Sequence, residues 1–310
     1  MKDIRAVFMG TPEFAVSILD KLVELVDVVL VVSQPDAIIG RKKVLEESAV
    51  TKRASELGIE VVKPTKIRED YEKIIEVKPD IIVTCAYGQI IPKILLDTPR
   101  LGCINVHASL LPKYRGGAPI QRAIMEGEKE TGITVMYMDE HMDSGDIIEK
   151  RSIPILESDN CDSLSGKLAS LGADLLGEVL PKVIDGTSKR VSQDESKVTY
   201  GYIIKREDEL LNFNDSTLKV FNKIRGLSTK PGAYFILNGR IIKVLESRIG
   251  SSHGDTNHVT EIYKDGFGIA TLDGEIVITK VKPEGKKEMS ARDFLNGINK
   301  DELKGMELNV

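Results

Sequence analysis

Two apolar runs near the start, Ile4–Met9 and Val28–Val32, flank a stretch with helical spacing that ends near Leu25. Apart from Arg5, neither run alternates between apolar and polar residues. A strand that is apolar on both faces must be covered on both faces. A β-α-β opening built from such strands therefore predicts a mostly parallel sheet with helices on either side. Asp80–Ala86 and Cys103–His107 extend the same pattern further along the chain. Between the first strand and its helix lies Gly10-Thr11-Pro12-Glu13-Phe14, with Thr11 expected as the helix cap and Pro12 at the first helical position. The turn has a single glycine and no G-x-G-x-x-G, so a plain strand-to-helix turn is favoured over a dinucleotide site.

Ser33-Gln34-Pro35-Asp36 leaves the second strand and opens a loop through about Glu47, carrying Arg41, Lys42 and Lys43. Strands are expected again at Gly132–Met138 and Ile147–Ile153. A long helix from Asp162 to Ile184 closes the first domain. Asp185–Thr199 is polar and has no apolar period, which suits a linker. Beyond Arg206 the pattern changes to short alternating strands: Gly232–Leu237, Arg240–Glu246, Gly266–Ala270 and Glu275–Val281. Turns such as Asn238-Gly239 and Asp273-Gly274 join them, which predicts a small β-barrel. The expected architecture is α/β: a Rossmann-like sheet domain over 1–188, a linker over 189–205, and an OB-like barrel domain over 206–310.

Charge and cysteines narrow the setting. The net charge is -5, so charge alone does not point to nucleic acid. Trp is absent and aromatics make up 5% of the chain, which excludes a tryptophan stacking platform. The segment from Arg206 onward holds as many basic as acidic residues. Its Lys219, Lys223, Arg225 and Lys230, with Lys280, Lys282, Lys286 and Lys287, make either a phosphate-binding stripe or a mixed-charge surface. Cys85, Cys103 and Cys161 are far apart, odd in number and form no C-x-x-C, the usage of a reduced, cytoplasmic protein. No apolar run approaches ~18 residues, so no membrane span is expected. Nor does the start have a signal-peptide pattern.

The chemistry concentrates in Cys103–Ala118. Asn105 and His107 lie two residues apart on one expected strand, which sends both side chains to the same face. An amide donor beside an imidazole suits a reaction that builds negative charge on a carbonyl oxygen and moves a proton. Ser109-Leu110-Leu111-Pro112 follows and can cradle a flat ligand with its backbone. Met138–Asp146 is a dense acidic turn that can supply a third group. Asp143 competes there with Asp139, Glu140 and Asp146. The four histidines show no ligand spacing on one element, so no metal is expected.

Asn105-Val-His107, Ser109-Leu-Leu-Pro112, Tyr114-Arg-Gly-Gly-Ala-Pro119 and Met142-Asp-Ser-Gly-Asp146 together resemble the signature of the 10-formyltetrahydrofolate-dependent formyltransferases. Three further stretches resemble the branch of that family that acts on aminoacylated tRNA. They are Gly10-Thr-Pro-Glu-Phe-Ala15, Gln34-Pro-Asp36 with Gly40-Arg41, and Ile224-Arg-Gly with Lys230-Pro-Gly-Ala-Tyr234. The family loop after Gln34-Pro-Asp36 is usually richer in Pro, Gly and Lys. Arg41 matches its key arginine, and Lys42 and Lys43 match it in part.

The resemblance implies a monomer with 10-formyltetrahydrofolate as donor and the α-amine of methionine on initiator tRNA as acceptor. It implies Asn105, His107 and Asp143 as catalytic residues. Ser109, Leu110, Leu111 and Pro112 would line the folate pocket with Tyr87, Gly88 and Gln89, and Arg41, Lys42 and Lys43 would contact tRNA. Relatives that formylate a sugar-nucleotide amine or a glycinamide ribotide would share the catalytic set, but not the Lys230–Tyr234 stretch. A folate- or RNA-binding regulator would have no use for the intact catalytic set.

Overall fold

The computed structural model describes residues 1–39 and 44–308. The chain forms two compact units. Met1–Pro119, Glu130–Pro154 and Ser165–Tyr202 make the first, and Ile120–Lys129, Ile155–Leu164 and the chain from Ile203 onward make the second.

Strands of the first unit are β1 (Arg5–Gly10), β2 (Asp27–Val32), β3 (Ala37–Ile39), β4 (Val44–Glu46), β5 (Val61–Val62), β6 (Ile81–Cys85), β7 (Cys103–His107), β8 (Glu130–Tyr137) and β9 (Ile147–Pro154). Seven of them form one sheet in the order β5-β2-β1-β6-β7-β8-β9. Its first five strands run parallel, and β8 and β9 add antiparallel edges. The expected Rossmann-like sheet is present. β1 and β6 are apolar and buried along almost their whole length, as the non-alternating runs required. One sheet face packs Val7, Met9, Leu30, Val32 and Ile82 against Ile67, Ile74 and Leu95. The helix Cys161–Ile184 covers the other face. A Cβ on its Gly172 would come within 3.0 Å of Ile18 and 3.2 Å of Val106, so glycine lets the helix approach closely.

The chain goes from β1 to β2 on one side of the sheet, while β6 joins β1 on the other. This reversal gathers the carboxyl ends of β1, β6 and β7 at a switch point, where open α/β sheets place their ligands. Gly10 ends β1 because a Cβ there would lie 2.8 Å from the Phe8 ring and 3.0 Å from the Cys85 carbonyl. Thr11 differs from its expected role. The short helix Glu13–Ala15 is preceded by Pro12 and has no side-chain cap. The Thr11 hydroxyl instead donates to the Tyr87 carbonyl at 3.0 Å, tying the first loop to the end of β6.

The described residues of the loop after β2 include two short strands. β3 and β4 pair as a small antiparallel ribbon whose Ile38, Val44 and Leu45 are exposed. Cys85 and Cys103, on neighbouring central strands, are buried free thiols. Burial pushes the Cys85 thiol well above its usual range and that of Cys103 up to about 12.

The second unit holds β10 (Ala233–Leu237), β11 (Arg240–Ile249), β12 (Val259–Ile262), β13 (Phe267–Ala270), β14 (Glu275–Pro283) and β15 (Met289–Ser290). They pair antiparallel in the order β10-β11-β14-β13-β12, with β15 on β14, the sheet of a small barrel. Phe213, Phe235 and Phe267 stack edge-on through its core at centroid spacings of 6.1 and 6.3 Å. The helix Thr217–Leu227 packs on this core through Val220, Ile224 and Leu227.

Candidate active site

β7 ends at the switch point, and its alternation sets Asn105 and His107 on one face. Asp143 reaches the same place from the turn between β8 and β9, in the left-handed backbone region with φ of 53°. Asn105 Nδ2 donates to Asp143 Oδ1 at 3.3 Å. His107 Nδ1 lies 3.7 Å from the same oxygen, an ion-pair distance rather than a hydrogen bond. The other carboxylate oxygen accepts the Gly116 amide at 2.8 Å. His107 and Asp143 are largely buried, with side-chain exposures of 7% and 14%. The three expected catalytic groups therefore converge.

Their orientations are fixed by neighbours. The Thr84 hydroxyl donates to Asn105 Oδ1 at 2.8 Å, which turns the amide nitrogen toward Asp143. His107 Nε2 lies 3.0 Å from the Tyr114 carbonyl. A carbonyl only accepts, so Nε2 must carry a proton. Any proton His107 gives a substrate therefore leaves from Nδ1, the nitrogen facing Asp143.

The competing acids are occupied elsewhere. Asp139 accepts from the His141 amide and the Ser144 hydroxyl and so caps its own turn. Asp146 accepts from Ser192 at 3.2 Å. Glu140 pairs with Lys93 on the surface.

The expected folate-lining residues present mainly backbone. Ser109 and Leu111 are fully buried. The Ser109 hydroxyl donates to the Lys113 carbonyl, and Leu111 packs on Met136 and Ile147. Thr134 secures this loop by donating to the Ser109 carbonyl at 2.7 Å and accepting the Leu111 amide at 3.1 Å. Lys150 Nζ donates to the Leu111 carbonyl. Leu110 and Pro112 are partly exposed.

Tyr87 points into the core, and burial with Asp70 nearby pushes its phenol up to about 12. Its carbonyl accepts from Thr11 and from Gln34 Nε2, the latter at 2.9 Å. Gln89 donates to Gln34 and to the Pro64 carbonyl and accepts the Ile67 amide. Gly88, with φ of 92°, completes the turn.

Arg41, Lys42 and Lys43 lie outside the described residues. Several basic residues expected as a stripe are committed within the second unit. Lys223 Nζ donates to the Leu210 carbonyl at 2.6 Å, and burial pushes its ammonium down. Arg225 donates to the carbonyls of Leu156 and Asp159. Lys219 pairs with Asp215. Among the described residues no group of three or more His, Cys, Asp or Glu is placed to hold a metal ion. None of their helices is long and apolar enough to cross a membrane.

The segment after the long helix is wound along this site, a feature its composition concealed. Val191 pairs with Ile147, and Thr199–Gly201 pairs with Pro112–Ala118 through backbone hydrogen bonds. Gln193 Nε2 donates to the carbonyls of Asp143 and Gly145 at 2.8 and 2.9 Å. Gln193 Oε1 accepts from the buried Arg115, whose guanidinium also meets Glu195. The sequence signal available for this was the buried arginine of Tyr114-Arg-Gly-Gly, which needs a partner wherever it is buried.

Two family profiles match. "Formyl transferase" covers residues 4–180, and "Formyl transferase, C-terminal domain" covers 203–299. A methionyl-tRNA formyltransferase of Macrococcus caseolyticus is 46% identical over 307 residues, covering 98% of this chain and 99% of that protein. The Bacillus subtilis enzyme of the same name is 47% identical, covering 95% of each. Among solved structures, an N-formyltransferase of Helicobacter canadensis, crystallised with folinic acid and dTDP-3-aminofucose, shares the fold. Its TM-score is 0.68 at 21% identity, over 90% of this chain and 100% of that one.

Proposed function

The chain belongs to the formyl transferase family, and from that premise we propose how its site carries out the reaction. The reaction is transfer of a formyl group from a formyl-folate co-substrate to the amine of methionyl-tRNA, giving N-formylmethionyl-tRNA for translation initiation. The donor proposed is 10-formyltetrahydrofolate and the acceptor methionine on initiator tRNA. The observation that carries the site assignment is the convergence of Asn105 and His107 on one carboxylate oxygen of Asp143.

The methionine amine attacks the formyl carbon. A C–N bond forms and the carbonyl oxygen takes up negative charge. Asn105 Nδ2, held outward by Thr84, donates to that oxygen, and so does His107 from Nδ1 beside the Asp143 carboxylate. Asp143, directly or through a water, takes the amine's proton, and a proton returns to folate N10 as the C–N10 bond breaks. The backbone of Ser109–Pro112 and Tyr87–Gln89 lines the folate pocket in this proposal. Arg41, Lys42 and Lys43 are proposed to meet the tRNA. A cytoplasmic, monomeric chain completes the reading, and its three buried free thiols suit a reducing compartment.

The test is transfer of labelled formyl from 10-formyltetrahydrofolate to charged initiator methionyl-tRNA, beside charged elongator methionyl-tRNA. Strong transfer to the initiator alone is expected. Transfer to neither, with folate still bound, would move the acceptor to a small amine.

A further inference from the structure

The strap from Val191 to Gly201 joins two loops that the sheet does not itself connect. At one end it pairs with the chain after β7, and in its middle it grips the Asp143 turn. We infer that Gln193 is a positioning residue that holds Asp143 at its working place. Two facts make the grip directional. Arginine only donates, so Arg115 fixes which end of the Gln193 amide is oxygen. The amide nitrogen is left with two protons and two carbonyls, those of Asp143 and Gly145. The turn it holds has Asp143 in the left-handed region, which aspartate tolerates better than most side chains but at a cost in free energy that fixed partners offset. Gly145 sits against the Tyr137 backbone, where a Cβ would lie 2.0 Å from the carbonyl oxygen, so no side chain fits at that end of the turn.

This inference rests on Asp143 as proton acceptor, and its test separates the two claims. Gln193→Glu keeps an acceptor for Arg115, and with it the anchoring of the strap. It replaces the two donated hydrogen bonds with repulsion against two carbonyls. Gln193→Ala removes both. If Gln193 positions Asp143, both variants lose kcat by about 100-fold, the scale of an ångström-sized misplacement, with KM for folate and tRNA within about twofold. If the strap matters only as an anchor, Gln193→Glu is active and Gln193→Ala is not, which overturns the inference. Wild-type kcat in both, or a loss confined to KM, overturns it equally. Should Gln193→Glu melt below the assay temperature, Glu195→Ala carries the test: it removes the other partner of Arg115 and leaves the Gln193 grip, so kcat close to wild type is expected, and a loss equal to that of Gln193→Ala overturns the inference. An inactive Asp143→Asn with an active Gln193→Glu would sink the strap role alone.

A different observation on the same strap supports a second inference. Thr199 and Gly201 face the loop. Thr199 accepts the Tyr114 and Arg115 amides, and Gly201 pairs with Arg115 and Ala118. The alternation of extended chain turns Tyr200 and Tyr202 the other way. Their rings stack at a centroid distance of 5.3 Å and 14° between planes, and the residues are 47% and 61% exposed. Gly116, which donates to Asp143, lies against Gly201, with the Met142 tip beside it. We propose that this pair is a shelf for the terminal base of the tRNA acceptor arm. The proposal rests on methionyl-tRNA as substrate. The reacting amine is one ester linkage from the terminal ribose, so that nucleotide's base must settle close to the Gly116 loop. A base stacks on an exposed aromatic face whatever its sequence.

Tyr200→Ala with Tyr202→Ala is expected to raise KM for methionyl-tRNA about tenfold or more, with kcat and folate affinity close to wild type. Replacing both with Phe should keep the wild-type KM. An unchanged KM in the alanine pair, or an equal loss in the phenylalanine pair, would discard the shelf. Wild-type protein that formylates no tRNA would discard the substrate reading first.

Discussion

Asp143→Asn is expected to lower kcat by about 1,000-fold or more, within the range for loss of a general base at the reacting centre. The change is nearly isosteric. An amide oxygen can still accept the Gly116 N–H, so the turn should hold. Two things are lost. The side chain no longer takes a proton from the amine, and His107 Nδ1 faces a neutral group instead of a carboxylate. The check is single-turnover formyl transfer with both substrates saturating, so that binding does not enter. Activity near wild type would hand the proton to another acid. Asp139 and Asp146, each already spent on a turn or a serine, would then need to move.

Asn105→Ala is the second large effect. Removing one preorganised oxyanion donor typically costs ~10²–10³ in kcat. Thr84 makes this case specific, because its hydroxyl already occupies the Asn105 oxygen and leaves the nitrogen for the reaction. The loss should therefore fall on kcat, with KM for folate little changed. His107→Ala should cost a similar factor, and it also frees the Tyr114 carbonyl of its partner. Wild-type turnover in Asn105→Ala would leave the formyl oxygen to other donors and remove the amide from the mechanism.

The strand that carries two of these groups was legible residue for residue. Cys103–His107 is a short apolar run with a polar loop after it, and the fold adds only its neighbours. The parallel core was legible for a similar reason, since β1 and β6 carry no alternation. What the sequence hid was tertiary. Gln193 stands 50 residues from the Asp143 carbonyl it holds, and its segment has neither apolar period nor helix signal. Such a stretch reads as a connection because its structure comes from backbone groups borrowed from other loops. The β3–β4 ribbon escaped for the opposite reason. Its Ile38, Val44 and Leu45 are exposed, so no buried face imprinted an alternation. Thr11 had the residue type of a cap, but its hydroxyl donates to the Tyr87 carbonyl and the helix after Pro12 begins without a side-chain cap.

The buried thiols of Cys85 and Cys103 give the fold a clock of its own. Each is protonated and shielded where the central strands lie side by side. An alkylating reagent needs an exposed thiolate, so it waits for the sheet to part. The pace at which these two sulfurs are trapped therefore times the openings of the layer beneath the reaction, rather than any reactivity of the cysteines themselves.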